Sequence, residues 1–247
     1  MKKFEEIRFA LPELKGISAK NIEEHLKLYA GYVKNSNLIL EKIEELSKDA
    51  EKNAYVLAEL QRRFGFEFCG MRNHEYYFRS LEGGAKSLDD IGLTQLDAVQ
   101  GESEKQPSHT SQYGEEASER SNEEMRQMRK SCALKKAIED TWGSFDNWLA
   151  RFKSVALTRG IGWAVLFYDP QTKTLLNAWV DEHHLGNLSG LSFIMGIDMW
   201  EHAYMIDYLP SEKKKYIEAF FENINWNVAE ENFKQVHSKI DKFLNIQ

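Results

Sequence analysis

The fragment Asp198-Met-Trp-Glu-His202 sets a carboxylate four residues ahead of an imidazole. With Asp198 closing a strand and His202 in the first turn of a following helix, both side chains converge on one point, as a metal ion requires. Two further histidines have the surroundings of an interior site. His25 precedes Tyr29 and Tyr32 at helical spacing, and His74 follows Asn73 and precedes Tyr76, Tyr77 and Phe78. Each fragment taken alone also fits a structural role, as a surface aspartate beside a packed histidine or a hydrogen-bonded histidine in an aromatic core. Together, three histidines and one aspartate form a nitrogen and oxygen donor set without thiolate. Such a set suits iron or manganese, tolerates zinc and disfavours copper(I) and iron–sulfur chemistry.

The elements that must position these residues follow from periodicity. Ser18 opens a helical pattern through Ile22, His25, Leu28, Tyr29, Tyr32 and Val33, continued by Leu38, Leu40, Ile43 and Leu46. After the polar SKDAEKN stretch, Ala54, Val56, Leu57 and Leu60 begin a return helix, and a third helix is expected over Arg72 to Leu81. The first third therefore reads as a long antiparallel helical hairpin. Residues 99–130 are rich in Ser, Glu and Gln with almost no apolar anchor, which predicts a disordered or weakly helical linker. Within it, Ser121 and Glu124 have capping-box spacing. Beyond it the pattern gives helices over 133–140 and 144–157, broken at Gly143. The runs GWAVLFYD and TLLNAWVD, joined through Pro170, Gln171 and Thr172, form a β-hairpin, and Leu191 to Ile197 a third strand. Helices follow around 201–208 and 211–222. The fold class is α+β: an N-terminal helical hairpin domain (1–98), the polar segment (99–130), and an α+β domain with a small, about three-stranded antiparallel sheet (131–247).

Composition narrows the function classes. The 247 residues are 42% hydrophobic and 29% charged, with a formal net charge of -7, so bulk electrostatics favour neither nucleic acid nor an anionic membrane as partner. Cys69 and Cys132 lack CxxC spacing and are too few for a disulfide scaffold, which points to a reducing compartment. The opening MKKFEEIRFALPEL holds no apolar run of signal-peptide length, and no stretch of eighteen apolar residues occurs. A cytoplasmic protein without membrane association is the expectation.

Four passages resemble the iron/manganese superoxide dismutase family. LPELKGISAKNIEEH is similar to the family's opening, leading to a first ligand at His25. YVKNSN is similar to the stretch after it, and RNHEYYFRSL to the segment bearing the second ligand, His74. DMWEHAYMIDY is close to the family's most diagnostic signature and supplies Asp198 and His202; Asn225-Trp226 also fits. The resemblance implies one Fe or Mn ion per chain held by His25, His74, Asp198 and His202. It implies superoxide as substrate, converted to dioxygen and hydrogen peroxide as the metal alternates between trivalent and divalent states. Tyr32 resembles the tyrosine at the substrate gateway. Trp200 and Glu201 belong to the surrounding shell and interface, with Glu201 reaching a partner's His202 in a homodimer or higher homo-oligomer. The alternatives are a metal-binding protein of this fold with weak or no dismutase activity, acting as a structural or interaction module, and another non-haem metal reaction.

The sequence departs from the family pattern around the ligands. The family's active-site glutamine comes from one of two positions, here Gly70 and the WVDEHHLGN segment. His183 is the expected solvent partner, and His184 takes that place if the register slips by one. The span from His25 to Tyr32 is one residue shorter than usual, which predicts a regular helix without a π-bulge. Leu28 and Tyr29 stand where a histidine is usual, Met205 where its tyrosine partner is usual, and Phe78 replaces a tryptophan. These changes predict an apolar cross-subunit contact and an altered environment for turnover.

Overall fold

A computed structural model describes residues 3–89 and 132–244, with side chains through residue 236. Helix α1 spans Ala19–Leu46, and Ser18 in an extended conformation starts it by accepting from the Asn21 amide at 3.1 Å. Its buried residues, Asn21, His25, Tyr29, Val33, Ser36 and Ile39, recur every three or four positions and form the inward stripe. Leu28 lies outside that stripe and is exposed, and Ile22 is partly buried. The helix is α-helical throughout, without a π-bulge. Asn53 closes the turn by donating to the Leu46 and Asp49 carbonyls.

Helix α2 runs unbroken over Ala54–Arg79. The separate helix expected over Arg72 to Leu81 is therefore the second half of α2. Gly65 and Gly70 each cost about 1 kcal/mol of helix propensity. The burial of Met71, Tyr77 and Phe78 outweighs that, and the helix continues. His74 consequently rides on the same rod that packs against α1 and His25.

The C-terminal half begins at Cys132. Helix α3 (Ala133–Trp142) ends at Gly143, whose φ of +83° makes the left-handed turn into α4 (Phe145–Ala156), capped by Ser144. Strands β1 (Gly162–Asp169), β2 (Thr174–Asp181) and β3 (Ser192–Asp198) form an antiparallel sheet in the order β2-β1-β3. Central β1 is buried from Gly162 through Tyr168, as expected of a strand covered on both faces. Its register sets Trp163 opposite Asp198. Gly162 has no substitute, because a Cβ there would stand 2.2 Å from the Val180 carbonyl oxygen.

The helix expected around 201–208 does not form. A single 3₁₀ turn, Glu201–Ala203, follows β3 instead, and regular helix resumes only at α5 (Lys213–Asn223). Long-range bonds compete here: the Asp207 carboxylate accepts from the Ser18 amide and from Asn21 Nδ2, drawing this segment against the start of α1. Pro210 then precludes a continuous helix across the gap. A last helix, α6 (Trp226–Leu244), was not singled out by the sequence pattern. The 99–130 segment and the Ser121/Glu124 capping box lie outside the described residues. Among the described residues no helix is long and apolar enough to cross a membrane.

Among the contacts that join the halves are two sets of hydrogen bonds. The Lys86 amide donates to the Ile224 carbonyl, and the Asn225 amide to that of Ser80. On the other side, Asn21 Nδ2 donates to the Ala203 carbonyl at 3.1 Å. The second set holds the first turn of α1 against the turn that carries His202.

Candidate metal centre

Four side chains from α1, α2, the end of β3 and the turn after it meet at one buried point. One ligand-type atom from each of His25, His74, Asp198 and His202 lies within 4.8 Å of the other three. His25, His74 and Asp198 are fully buried, while the His202 side chain is 19% exposed. Asp198 Oδ2 stands 3.1 Å from His25 Nε2, 3.1 Å from His202 Nε2 and 3.4 Å from His74 Nε2. Its other oxygen accepts from the Trp200 amide at 2.8 Å, which fixes the carboxylate at the strand end.

The imidazoles are oriented to offer lone pairs inward. The Gly70 carbonyl accepts from His74 Nδ1 at 2.6 Å, so Nδ1 carries the proton and Nε2 is left as a base. That Nε2 is buried and has no hydrogen-bond partner among the described residues. A buried, unpartnered nitrogen base beside a carboxylate fits a cation site. His25 is held by ring packing on Tyr77 and Phe78, and His202 by stacking on Trp200. Burial pushes the His25 and His74 pKa values down, which keeps both rings neutral and able to bind a metal. For Asp198, burial opposes ionisation, yet the His202 and His25 imidazoles outweigh it and hold the carboxyl well below the usual range. The donor set is two nitrogens and a carboxylate oxygen in the dry interior plus one nitrogen at its edge, consistent with a hard or borderline metal.

Outside this cluster lies an aromatic cage. His183 is fully buried and joins two partners: Trp163 Nε1–H donates to its Nδ1 at 3.0 Å, and its Nε2 stands 2.7 Å from the Tyr32 hydroxyl. The indole can only donate, so Nδ1 is the acceptor and Nε2–H donates to Tyr32. Burial drives the His183 pKa down to about 3, so the ring stays neutral and this tautomer persists at physiological pH. Burial also raises the Tyr32 pKa, so its hydroxyl keeps its proton. Trp200 stacks on His183 at 4.7 Å, and Asn73 Nδ2 donates to the His183 carbonyl. Tyr32 rests flat on α2 because residue 70 is glycine: a Cβ there would stand 2.8 Å from the tyrosine ring.

Of the two neighbouring histidines, His183 is therefore the one bonded to Tyr32, whereas His184 packs edge-on against Phe66. Glu201 is exposed, as are Leu28 and Met205. Two members of the cage, Trp163 and Phe66, were not singled out by sequence. Trp163 becomes visible only through the register that sets it opposite Asp198. Phe66 carries no local signal beyond its place on the buried side of α2.

Fold and site together define a protein with a mononuclear, three-nitrogen, one-carboxylate centre set between a helical hairpin and an α+β unit. Comparison with known proteins gives the family. A family model described as "Iron/manganese superoxide dismutases, C-terminal domain" matches residues 130–232. The "Superoxide dismutase [Fe]" of Aquifex aeolicus is 32% identical over 227 residues, covering 90% of this chain and 86% of that protein. The protein of the same description from Cupriavidus metallidurans is 31% identical over 224 residues, covering 90% of each. "Superoxide dismutase [Mn] 1" of Halobacterium salinarum is 39% identical over 111 residues, covering 45% of this chain and 54% of its own length. The chain belongs to the iron/manganese superoxide dismutase family.

Proposed function

We propose that this protein is a superoxide dismutase whose single iron or manganese ion is held by His25, His74, Asp198 and His202. The observation that carries this reading is the convergence of the four ligand atoms within 4.8 Å, three of the residues fully buried, in a member of this family. When bound, the metal supplies one-electron chemistry, taking one superoxide to dioxygen and the next, with two protons, to hydrogen peroxide.

The chain's own residues position groups and protons. His183 Nε2–H occupies one lone pair of the Tyr32 oxygen, so the Tyr32 hydroxyl proton is left for another acceptor. Tyr32 is thus a proton-bearing donor at the gateway, and His183 a catalytic-site partner that fixes its orientation. Trp163 fixes His183 in turn. Trp200 and Phe66 limit the water that reaches these groups.

We further propose a homodimer, or a larger assembly built from it, formed around Glu201 and His202. Leu28 and Met205 lie three residues beyond His25 and His202, and both are exposed, at 40% and 47%. Their exposure supports an apolar contact at this face. The reading divides the chain into 1–98, 99–130 and 131–247, and assigns the protein to the cytoplasm.

The test is metal analysis together with a superoxide-consumption assay on protein purified without added metal. About one iron or manganese per chain is expected, with activity lost in His202→Ala. Full metal content without turnover would instead favour a structural or interaction role for the same fold.

A further inference from the structure

We propose that Arg63, stacked on Phe66 and braced by Glu67, is the cation that guides small monovalent anions into the mouth of the site. The inference rests on the dismutase reading for its physiological substrate, superoxide, but concerns a residue outside the metal and proton machinery.

The need for such a group follows from charge. The chain carries a formal net charge of -7, so its far field repels an anionic substrate. A local cation beside a narrow entrance reverses that repulsion over the last few ångströms and raises the association rate. Around the cluster, Tyr32, Phe66, Trp200 and His202 keep partial exposure, whereas His25, His74, Asp198 and His183 are buried. Solvent therefore meets the site on the side of these partly exposed residues.

Arg63 stands on that side. Its guanidinium carbon lies 3.9 Å from the centre of the Phe66 ring, within cation–π range. Phe66 in turn touches His183 at 4.8 Å, Tyr32 at 6.1 Å and Trp200 at 6.3 Å between ring centres. One aromatic ring thus separates the guanidinium from the Tyr32–His183 pair. The bracing also has a direction. Arg63 Nε donates to Glu67 Oε1 at 2.9 Å, and an Nη atom lies 2.8 Å from the same oxygen. The Glu67 side chain is 5% exposed and that of Arg63 47%, so the pair is a dipole with its positive end in solvent. An approaching anion meets the guanidinium before the carboxylate. Burial is the main influence on the pKa values of Tyr32 and His183, and Arg63 is the cation whose field reaches both.

The neighbouring arginines are ion-paired too, but neither of them lies over Phe66: Arg72 lies over Phe4 and Phe68. Arg62 is bound through two nitrogens to Glu59, and Arg72 to Glu75. Lys213 donates to the Thr158 carbonyl and lies over Trp179.

The experiment compares full-length, metal-loaded wild type with Arg63→Gln, Arg63→Lys and Arg63→Glu, and with Arg62→Gln as a control of equal charge change. Two quantities are read, both normalised to bound metal: the second-order rate of superoxide decay by pulse radiolysis, and the affinity for azide by absorption titration. At 0.01 M ionic strength Arg63→Gln is expected to lower both by about threefold and Arg63→Glu by about tenfold. The differences should shrink toward 1 M salt, where the Debye length falls to about 3 Å. Arg63→Lys should stay near wild type, and Arg62→Gln should match it. Equal rates and equal azide affinities for wild type and Arg63→Gln at low salt would overturn the guide, as would an equal loss in Arg62→Gln. A wild-type protein that holds metal without consuming superoxide would overturn the dismutase reading instead, and azide affinity would still decide the role of Arg63.

Discussion

Asp198 and Glu230 are both carboxylates in the interior, and the protein treats them in opposite ways. Glu230 is 1% exposed and saturated with donors: Cys132 Sγ at 2.9 Å, the Ala133 and Leu134 amides at 3.0 and 2.7 Å, and Lys234 Nζ at 2.9 Å. It caps the start of α3 from 97 residues away and carries its own cation. Asp198 is 0% exposed and faces three imidazoles, two of them kept neutral by burial, through a single oxygen. A buried charge that the chain neutralises itself is structural. One left among nitrogen lone pairs has the surroundings that a metal ion requires.

That contrast gives predictions of decreasing size. Asp198→Ala should remove the anionic ligand and lower dismutase activity by more than about a hundredfold through loss of metal. Glu230→Gln should leave the metal content unchanged. Retained metal in the first variant, or lost metal in the second, would erase the distinction between the two carboxylates.

His183→Ala sharpens the comparison from the other side, since it leaves all four ligands in place. With Tyr32 and Trp163 deprived of their common partner, activity should fall about tenfold or more while metal content holds. Activity per bound metal is the deciding ratio.

Glu230→Gln should cost about 3 kcal/mol of stability, because the amide loses the pairing with Lys234 and turns a donor toward donor groups. Chemical denaturation measures this directly. An unchanged midpoint would mean that the cap contributes little.

The last prediction concerns pH, where each pH unit shifts stability less than the loss of the Glu230 pairing does. In the folded protein His183 stays neutral down to about pH 3, whereas its unfolded imidazole takes up a proton below about 6.5. The unfolded state therefore binds more protons in that window, and stability must fall as the pH drops through it. The slope is about 1.4 kcal/mol per pH unit for one such ring. Metal-free His183→Gln, whose amide does not titrate, should show a shallower acid dependence than metal-free wild type. Parallel curves would remove His183 from the account.

Much of the fold was legible in sequence because it is locally encoded. Ser18 as a cap, the three-to-four spacing of His25, Tyr29 and Val33, Gly143 between two helices, and the paired apolar runs around Pro170 each act over a few residues. The misreadings were of two kinds. The separate helix expected over Arg72 to Leu81 is instead the second half of α2, which the burial of Met71, Tyr77 and Phe78 keeps continuous. Around 201–208 the bonds from Asp207 to Ser18 and Asn21 replaced helix with turn. Both outcomes depend on partners far along the chain.

The sequence by itself determined the types and order of the candidate ligands, and the helix and strand that carry His25 and Asp198, because those are written in short motifs and periodicities. Only the tertiary structure decided which of two adjacent histidines faces Tyr32, and that Trp163 lies opposite Asp198. Glu182, with a φ of +51°, turns the chain just before His183, and the register of β1 with β3 sets the place of the indole. Side-chain direction in an irregular turn is fixed by what packs around it, so no local pattern encodes it.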